Sequence, residues 1–100
     1  MKDKQLYRKG PYADFFAQAV KTGNILTLAG QLGDSADGNV PTDIKGQMEN
    51  CYINIKEILK EFNASLDNLI DETWFVTDIN ECMGNVSDIF DSREKIYGCK

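Results

Sequence analysis

The sequence predicts an α+β domain in which α-helices cover one face of a β-sheet. Two short apolar segments joined by turn residues within 17–29 predict a β-hairpin, and apolar residues recur at helical spacing after Pro41. A second helical repeat follows Asp78, after a segment rich in β-branched and aromatic residues. The order hairpin, helix, strand, helix within 100 residues indicates one α+β domain that spans 1–100.

The hairpin is predicted from the apolar segments 17–20 and 25–29, which flank the sequence K-T-G-N at 21–24. Glycine and asparagine are residues that tight turns between antiparallel strands favour. Gly30 ends the second strand, where a glycine indicates either a β-bulge or a close approach of the backbone to another group.

The clearest helix begins after Pro41, with Thr42 or Asp43 as its N-cap. Its apolar residues recur at spacings of three and four on one stripe: Ile44, Met48, Cys51, Tyr52, Ile55, Ile58, Leu59 and Phe62. Asn63 is a residue type that adopts the left-handed conformation at helix ends. We therefore expect an amphipathic helix of about 20 residues.

The next segment, 69–77, is predicted to be a strand, in which Trp74 and Phe75 point to opposite sides. A second helix is predicted to start at 78–80. The low helix propensity of Gly84 and Asn85 weakens its middle and can break it into two pieces. Its expected apolar stripe is Ile79, Met83, Val86, Phe90 and Tyr97, with Arg93 packing by its stem.

Composition disfavours several classes of protein. The net charge of −5 opposes binding to phosphate backbones, and a basic cluster at Lys2, Lys4, Arg8 and Lys9 is expected to be a solvated N-terminal tail. The apolar runs are far shorter than the roughly 20 residues that span a bilayer. The polar N-terminus lacks a signal peptide pattern, which favours a cytoplasmic protein.

The cysteines Cys51, Cys82 and Cys99 are widely spaced, and the sequence contains no histidine and no C-x-x-C motif. We expect free thiols in a reducing compartment, with Cys51 buried on the helix stripe, and no disulfide or zinc framework. A nucleophilic role for Cys82 or Cys99 has no support beyond the residue type.

The predicted sheet is narrow for two amphipathic helices. The sequence supplies only about three or four strands, whereas a typical sheet has roughly five or six. A missing strand would come either from another subunit or from chain that is absent from this sequence.

Five motifs occur in a fixed order. Residues 19–31, A-V-K-T-G-N-I-L-T-L-A-G-Q, are similar to the pattern Q-A-V-x-x-G-N, a hydrophobic strand and S-G-Q. The other four are the turn at 37–40, the helix at 47–59 with Asn54, A-S-L-D-N at 64–68 and T-W-F-V-T-D at 73–78. From Ala19 to Asp78 the chain therefore resembles the RidA/YjgF family, which is also catalogued as reactive intermediate deaminase and endoribonuclease L-PSP.

The resemblance implies an antiparallel or mixed β-sheet with two α-helices on one face, the chorismate mutase-like or YjgF-like fold. It also implies a homotrimer with inter-subunit clefts that hold a small carboxylate-bearing metabolite, without a cofactor or a metal. The family's domain closes with strands that would lie beyond Lys100. The catalytic arginine and glutamate of the family belong to that segment, so no catalytic residue can be assigned in this chain.

The activity that the resemblance implies is that of an enamine/imine deaminase, which hydrolyses reactive 2-imino acids to 2-keto acids and ammonia. Two alternatives stay open. One is RNA cleavage or translation inhibition of the endoribonuclease L-PSP type, and the other is a non-catalytic trimer that binds a small metabolite. The lack of histidine and the acidic balance disfavour the first of these.

The resemblance implies four substrate-binding residues: Tyr12, Ala29, Gly30 and Asn85. Gly10-Pro11-Tyr12 is similar to the G-P-Y at the family's active-site wall, but Ala13-Asp14-Phe15-Phe16 is an insertion after it. Ala29 stands where the family has serine.

Three of these residues also have structural interpretations. Tyr12 can anchor the first strand, Asn85 can be a polar residue at a helix irregularity, and Gly30 can mark a bulge. Arg93 is either a substitute carboxylate clamp or a surface residue with a packed stem.

Overall fold

A computed structural model describes residues 3–98, without the side chain of Leu66. The chain folds into two units, Met1–Gln31 and Leu32–Lys100. Among the described residues, none of the helices is both long and apolar enough to cross a lipid bilayer. Lys2 and Cys99 lie outside the described residues.

The first unit is a three-stranded antiparallel sheet with strand order β1-β2-β3: β1 (Lys4–Tyr7), β2 (Ala19–Thr22) and β3 (Ile25–Leu28). The pairing of Thr22 with Ile25 leaves Gly23 and Asn24 as a two-residue turn, and Gly23 has a φ of 60°. A glycine with positive φ at the first turn position suits a hairpin. The predicted hairpin is confirmed.

Strand β1 corrects the expectation of a solvated tail, because Lys4 belongs to a strand. Its pairs Lys4↔Thr22 and Tyr7↔Ala19 hydrogen-bond β1 to the outer edge of β2. Most of the β1 side chains are exposed. Backbone pairing rather than side-chain burial therefore forms this strand, which explains why its polar sequence gave no strand pattern.

The second unit contains α1 (Ile44–Glu61), a 3-10 turn (Leu66–Asn68), α2 (Ile79–Gly84) and α3 (Val86–Tyr97). Helix α1 begins after Asp43, as predicted, although the Asp43 side chain forms no capping hydrogen bond. It ends where Asn63 adopts a φ of 54° and the N–H of Ala64 donates to the carbonyl of Leu59 at 2.9 Å. The predicted left-handed stop is confirmed.

The predicted second helix is two helices, divided at Asn85. The Asp78 carboxylate caps α2 by accepting from the N–H of Glu81 at 3.0 Å. The Asn85 side-chain N–H donates to the carbonyl of Glu81 at 2.8 Å, which satisfies one of the terminal carbonyls of α2. The break that the sequence allowed is confirmed, so the described chain has three α-helices where two were expected.

The apolar stripe predicted for this part of the chain was wrong at Ile79 and Met83 in α2 and at Phe90 in α3. These residues are 62%, 59% and 48% exposed, whereas Cys82 and Ile89 are buried. Both stripes have helical spacing, and the core of the second unit selects the one that contains Cys82. Its buried centre is Met48, Tyr52, Cys82 and Ile89.

The predicted strand at 69–77 forms no ladder in the described part of the second unit. Trp74 and Val76 pack against the core, whereas the side chain of Phe75 is 93% exposed. The predicted opposite orientation of Trp74 and Phe75 is thus confirmed. The strand prediction was wrong because a strand needs a hydrogen-bonded neighbour, and this unit supplies none among its described residues.

Two of the three cysteines are described, and neither of them forms a disulfide, as predicted. Cys82 is buried in the core, whereas Cys51 is only half-buried, which corrects the expectation of full burial. Burial and the nearby Asp34 carboxylate raise the pKa of Cys51, which opposes thiolate formation.

Candidate functional site

The pairing register of the first unit defines one end of its sheet. Tyr7 pairs with Ala19, and Ala19 pairs with Leu28, so β1 ends, β2 begins and β3 ends at the same level. The loop 8–18 and the residues that follow β3 therefore leave the sheet at this end. The turn at Gly23 lies at the opposite end. Three predicted substrate-binding residues, Tyr12, Ala29 and Gly30, belong to the first group.

Hydrogen bonds fix Ala29 in place directly after β3. Its N–H donates to the carbonyl of Gln18 at 2.9 Å, and its carbonyl accepts from the Gln31 side-chain amide at 3.0 Å. The same amide nitrogen lies 3.1 Å from the side-chain oxygen of Gln18. Hydrogen bonds with Gln18 and Gln31 therefore hold the backbone of Ala29, the residue before Gly30. Because Gln18 ends loop 8–18, the end of this loop lies beside Ala29.

Gly30 is exposed, and its own surroundings do not require a glycine. A Cβ atom built at Gly30 has no atom within 4 Å, and its φ lies outside the left-handed region. Among the described residues, its backbone N–H and carbonyl form no hydrogen bond. The regular pairing through Leu28 shows no bulge, so the structural interpretation of Gly30 is not supported. Gly30 therefore presents its backbone N–H and carbonyl to open space.

Tyr12 lies in a self-bonded loop. Its carbonyl accepts from the N–H groups of Phe15 and Phe16 at 2.9 and 3.1 Å. The rings of Tyr12 and Phe16 stack with centroids 5.6 Å apart and planes 17° apart. Gly10 has a φ of 81°, a conformation that favours glycine, and opens this turn. Sequence reasoning singled out Tyr12 but assigned no site role to Phe15 or Phe16, although both lie in the insertion.

Asn85 belongs to the second unit, where it is half-buried between α2 and α3. Its side-chain N–H donates a hydrogen bond to the carbonyl of Glu81. The structural interpretation offered from the sequence accounts for this hydrogen bond. A substrate contact by Asn85 stays a prediction.

Arg93 corrects the expectation of a surface residue, because its side chain is only 14% exposed. Its Nη2 lies 3.0 Å from Oε1 of Glu72, whose side chain is 30% exposed. The guanidinium carbon lies 5.5 Å from the ring centroid of Tyr52 and 6.0 Å from that of Phe90, within the range of cation–π attraction. Arg93 is therefore already paired, so it does not offer a free clamp for a substrate carboxylate.

A hydrogen-bonded network extends from this ion pair into the core. The Tyr52 hydroxyl donates to Oε2 of Glu72 at 3.0 Å and accepts from Nε1 of Trp74 at 2.8 Å. Burial raises the pKa of Tyr52 to about 12, and the Glu72 carboxylate acts in the same direction. The Tyr97 hydroxyl donates to the carbonyl of Tyr52 at 2.7 Å, and burial raises the pKa of Tyr97 as well.

This network attaches the segment around Trp74 to the helices. Sequence reasoning missed it because Tyr52 fits the apolar stripe of α1, while its polar partners are 20 or more positions away. Among the described residues, no three histidine, cysteine, aspartate or glutamate side chains form a cluster that could hold a metal ion.

Comparison with known proteins places the chain in a family. A family model described as Endoribonuclease L-PSP matches residues 8–95. The chain belongs to the Endoribonuclease L-PSP (RidA/YjgF) family. The resemblance deduced from the five motifs is thereby confirmed. The match includes both units and all four predicted substrate-binding residues.

Several named proteins are similar in sequence to this chain. A RutC family protein of Pyrococcus abyssi is 40% identical over 74 residues, which cover 72% of this chain and 55% of that protein. The 2-iminobutanoate/2-iminopropanoate deaminase of Escherichia coli is 30% identical over 73 residues, which cover 72% of this chain and 54% of the deaminase. The chain thus spans little more than half the length of these curated relatives.

A solved structure of protein YJGH shares the fold, with a TM-score of 0.72 and 26% sequence identity. The match covers 94% of this chain and 73% of YJGH. The α+β class is confirmed, with three antiparallel strands and three helices in the described residues.

Proposed function

We propose that this protein acts as an imine deaminase that hydrolyses 2-imino acids to 2-keto acids and ammonia. The observation that carries the proposal is the 30% identity to a relative named 2-iminobutanoate/2-iminopropanoate deaminase, within a family match from 8 to 95. The exposed backbone at Gly30, with open space and unpaired polar groups, supports a ligand site at the same sheet end as Tyr12.

The reaction needs little chemical machinery. Water adds to the electrophilic carbon of the C=N bond, the C–N bond then breaks, ammonia leaves and a C=O bond remains. Rate enhancement of such a step comes from positioning the imine and the water and from moving protons between them. No covalent nucleophile is required, which agrees with a half-buried Cys51 and a buried Cys82.

The proposed role of Gly30 is to bind polar atoms of the substrate through its backbone. A backbone N–H can donate to a carboxylate or to the imine nitrogen, and a side chain at this position would block that approach. The ring of Tyr12 would form one wall of the site. Ala29 contributes no hydroxyl, so its part is limited to holding the backbone of Gly30.

The substrate carboxylate also needs a cation. The sequence has two arginines, and both are engaged: Arg93 pairs with Glu72, and Arg8 donates to the carbonyl of Ala13 at 3.0 Å. We therefore propose that carboxylate binding needs an arginine equivalent to the one that the resemblance implies for the family, which residues 1–100 do not supply. The 100-residue chain is expected to be catalytically incomplete.

The test is ammonia release from 2-iminobutanoate that an amino-acid oxidase generates in the cuvette. The 100-residue chain is compared with a chain extended by the family's C-terminal strands. Ammonia release by the extended chain only, at least about 10-fold above the uncatalysed rate, is the expected result. Full activity of the short chain would overturn the assignment of the arginine, and no activity of either chain would overturn the deaminase proposal.

Gly30→Val sharpens this test, because the open space at Gly30 predicts that a valine there folds normally. The extended chain with Gly30→Val should lose ammonia release while its thermal unfolding is unchanged. Gly84→Ala, at an equally open position on α2, is the matched control and should keep activity. Binding of 2-oxobutanoate without turnover would favour the metabolite-binding alternative instead.

A homotrimer with clefts between subunits is part of the proposal. The second unit exposes Ile70 and Phe75 almost completely, at 96% and 93%, which is unfavourable for apolar side chains in water. Sedimentation equilibrium should give three times the chain mass. Phe75→Glu should lower that mass by placing a charge in the subunit interface. A monomeric wild-type protein would contradict this part.

A further inference from the structure

An exposed aromatic cluster projects from the first unit at the end of the sheet that carries Gly30. We use the name aromatic tip for Tyr12, Phe15 and Phe16, which are 45%, 80% and 41% exposed. Three neighbouring aromatic side chains with this exposure are unusual for a loop of a soluble domain. Such a patch indicates an apolar binding partner.

Hydrogen bonds within the loop hold the backbone that carries the aromatic tip. The N–H groups of Ala13, Phe15 and Phe16 donate to carbonyls within the loop, and Arg8 holds the carbonyl of Ala13. The stacked rings of Tyr12 and Phe16 restrict each other. Because Tyr12 and Phe16 already stack on each other, an apolar ligand that packs on them loses less entropy in fixing these two rings.

The aromatic tip also lies within reach of Gly30. Phe16 precedes Gln18 by two residues, a length of chain that spans at most about 7 Å. The carbonyl of Gln18 accepts from the N–H of Ala29, the residue before Gly30. A molecule with an imine and carboxylate at the Gly30 backbone can therefore extend an apolar side chain of a few carbons toward Phe16.

We propose that the aromatic tip is the specificity wall of the site, and that it selects 2-imino acids with bulky apolar side chains, such as isobutyl or benzyl. The inference rests on the proposed function and names its substrate class. Phe16 is the residue that determines specificity, because it stacks on Tyr12 and is nearest along the chain to Gln18. A methyl side chain, as in 2-iminopropanoate, would leave these rings in water.

The expected size of the selection follows from apolar burial. Each additional methylene placed in an apolar pocket changes kcat/KM by roughly 10-fold or more, and offset stacking on an aromatic ring adds to this effect. The substrate with an isobutyl group should therefore exceed the methyl substrate by at least about 10-fold in kcat/KM. Phe16→Ala should remove most of this preference.

The test measures ammonia release by the extended chain from 2-iminopropanoate and 2-imino-4-methylpentanoate. Both are generated from the amino acids by an oxidase. Wild type, Phe16→Ala and Phe16→Leu are compared, and the leucine variant should restore part of the preference. The control is Ile25→Ala, an exposed apolar residue at the opposite end of the same sheet, which should leave the preference unchanged.

A second measurement separates this inference from the proposed function. Pyruvate and 4-methyl-2-oxopentanoate are titrated into each variant, and their dissociation constants are obtained by NMR. One outcome would support the specificity wall and contradict the deaminase proposal. In that outcome no ammonia is released, but 4-methyl-2-oxopentanoate binds about 10-fold more tightly than pyruvate in wild type and loses this advantage in Phe16→Ala. An equal preference in wild type and Phe16→Ala, or no binding of either acid, would overturn the wall.

Discussion

Removal of the Tyr52 hydroxyl tests whether the polar network stabilises the second unit. Tyr52→Phe deletes two hydrogen bonds, one from Nε1 of Trp74 at 2.8 Å and one to the Glu72 carboxylate at 3.0 Å. The phenyl ring still fills a site where Tyr52 is 2% exposed, so the packing is unchanged. The measured effect is therefore due to the hydroxyl alone.

The expected loss of stability follows from the two bonds. A hydrogen bond to a charged group contributes about 1.5–3 kcal/mol, and a neutral one contributes about 0.5–1.5 kcal/mol. Because the Glu72 side chain is 30% exposed and also pairs with Arg93, water and the guanidinium replace part of the loss. We expect Tyr52→Phe to lower the free energy of unfolding by about 2 kcal/mol and Tm by about 8–16 °C.

Urea unfolding measures this change through the fluorescence of Trp74, the single tryptophan of the sequence. Circular dichroism at the helix signal provides a second probe, since loss of the hydroxyl also alters the environment of the indole. Tyr12→Phe is the control: Tyr12 is 45% exposed, and the change in the free energy of unfolding should stay below about 0.5 kcal/mol.

A double-mutant cycle gives the result that would refute the reasoning. Tyr52→Phe and Glu72→Ala remove the two sides of the same contact, so their effects should not add. A coupling energy of about 1 kcal/mol is expected. Additive effects would show that the two groups do not interact energetically, and a Tyr52→Phe variant as stable as wild type would show that the hydroxyl does not stabilise the fold.

Two further predictions concern pH and two glycines. The pKa of Tyr52 is about 12 in the folded state and about 10 when unfolded. Its contribution to stability is therefore full below pH 10 and is lost as the pH rises from 10 to 12, by up to about 1.4 kcal/mol per pH unit, with Tyr97 acting in the same direction. Urea midpoints between pH 8 and 11 should fall less steeply in Tyr52→Phe, and parallel curves would contradict this. Gly33→Ala should destabilise by about 1–3 kcal/mol, because its Cβ would lie 2.8 Å from Cβ and 2.9 Å from the carbonyl oxygen of Gln47. Gly84→Ala, with open space, should instead stabilise by up to about 1 kcal/mol. Thermal unfolding of both variants decides this, and equal shifts would contradict it.

Local chemistry made several elements of the fold predictable. The turn at Gly23, the helix end at Asn63 and the cap at Asp78 depend on the conformational preferences of single residues, and each lies where the sequence predicted it. The break at Asn85 has the same origin, since low helix propensity acts within one turn. These preferences operate over a few residues, so the sequence can be interpreted without a tertiary structure.

Contacts between distant positions determined the rest. Strand β1 has no strand pattern of its own and forms because β2 offers an edge. Arg93 became a half-buried ion-pair partner only because folding places Glu72, 21 positions earlier in the chain, beside it. Segment 69–77 shows the converse. It is rich in β-branched and aromatic residues, yet it forms no strand because no strand of the described residues pairs with it.

The candidate site divides in the same way. The ordered motifs determined the family and pointed to Tyr12, Ala29 and Gly30, because residue types at fixed spacings survive in the sequence itself. Only the tertiary structure showed that the pairing register brings loop 8–18 to the same sheet end as Gly30, and that the aromatic tip stands exposed there. Hydrogen-bond register and side-chain exposure depend on which strands meet, and no local pattern of residues specifies that.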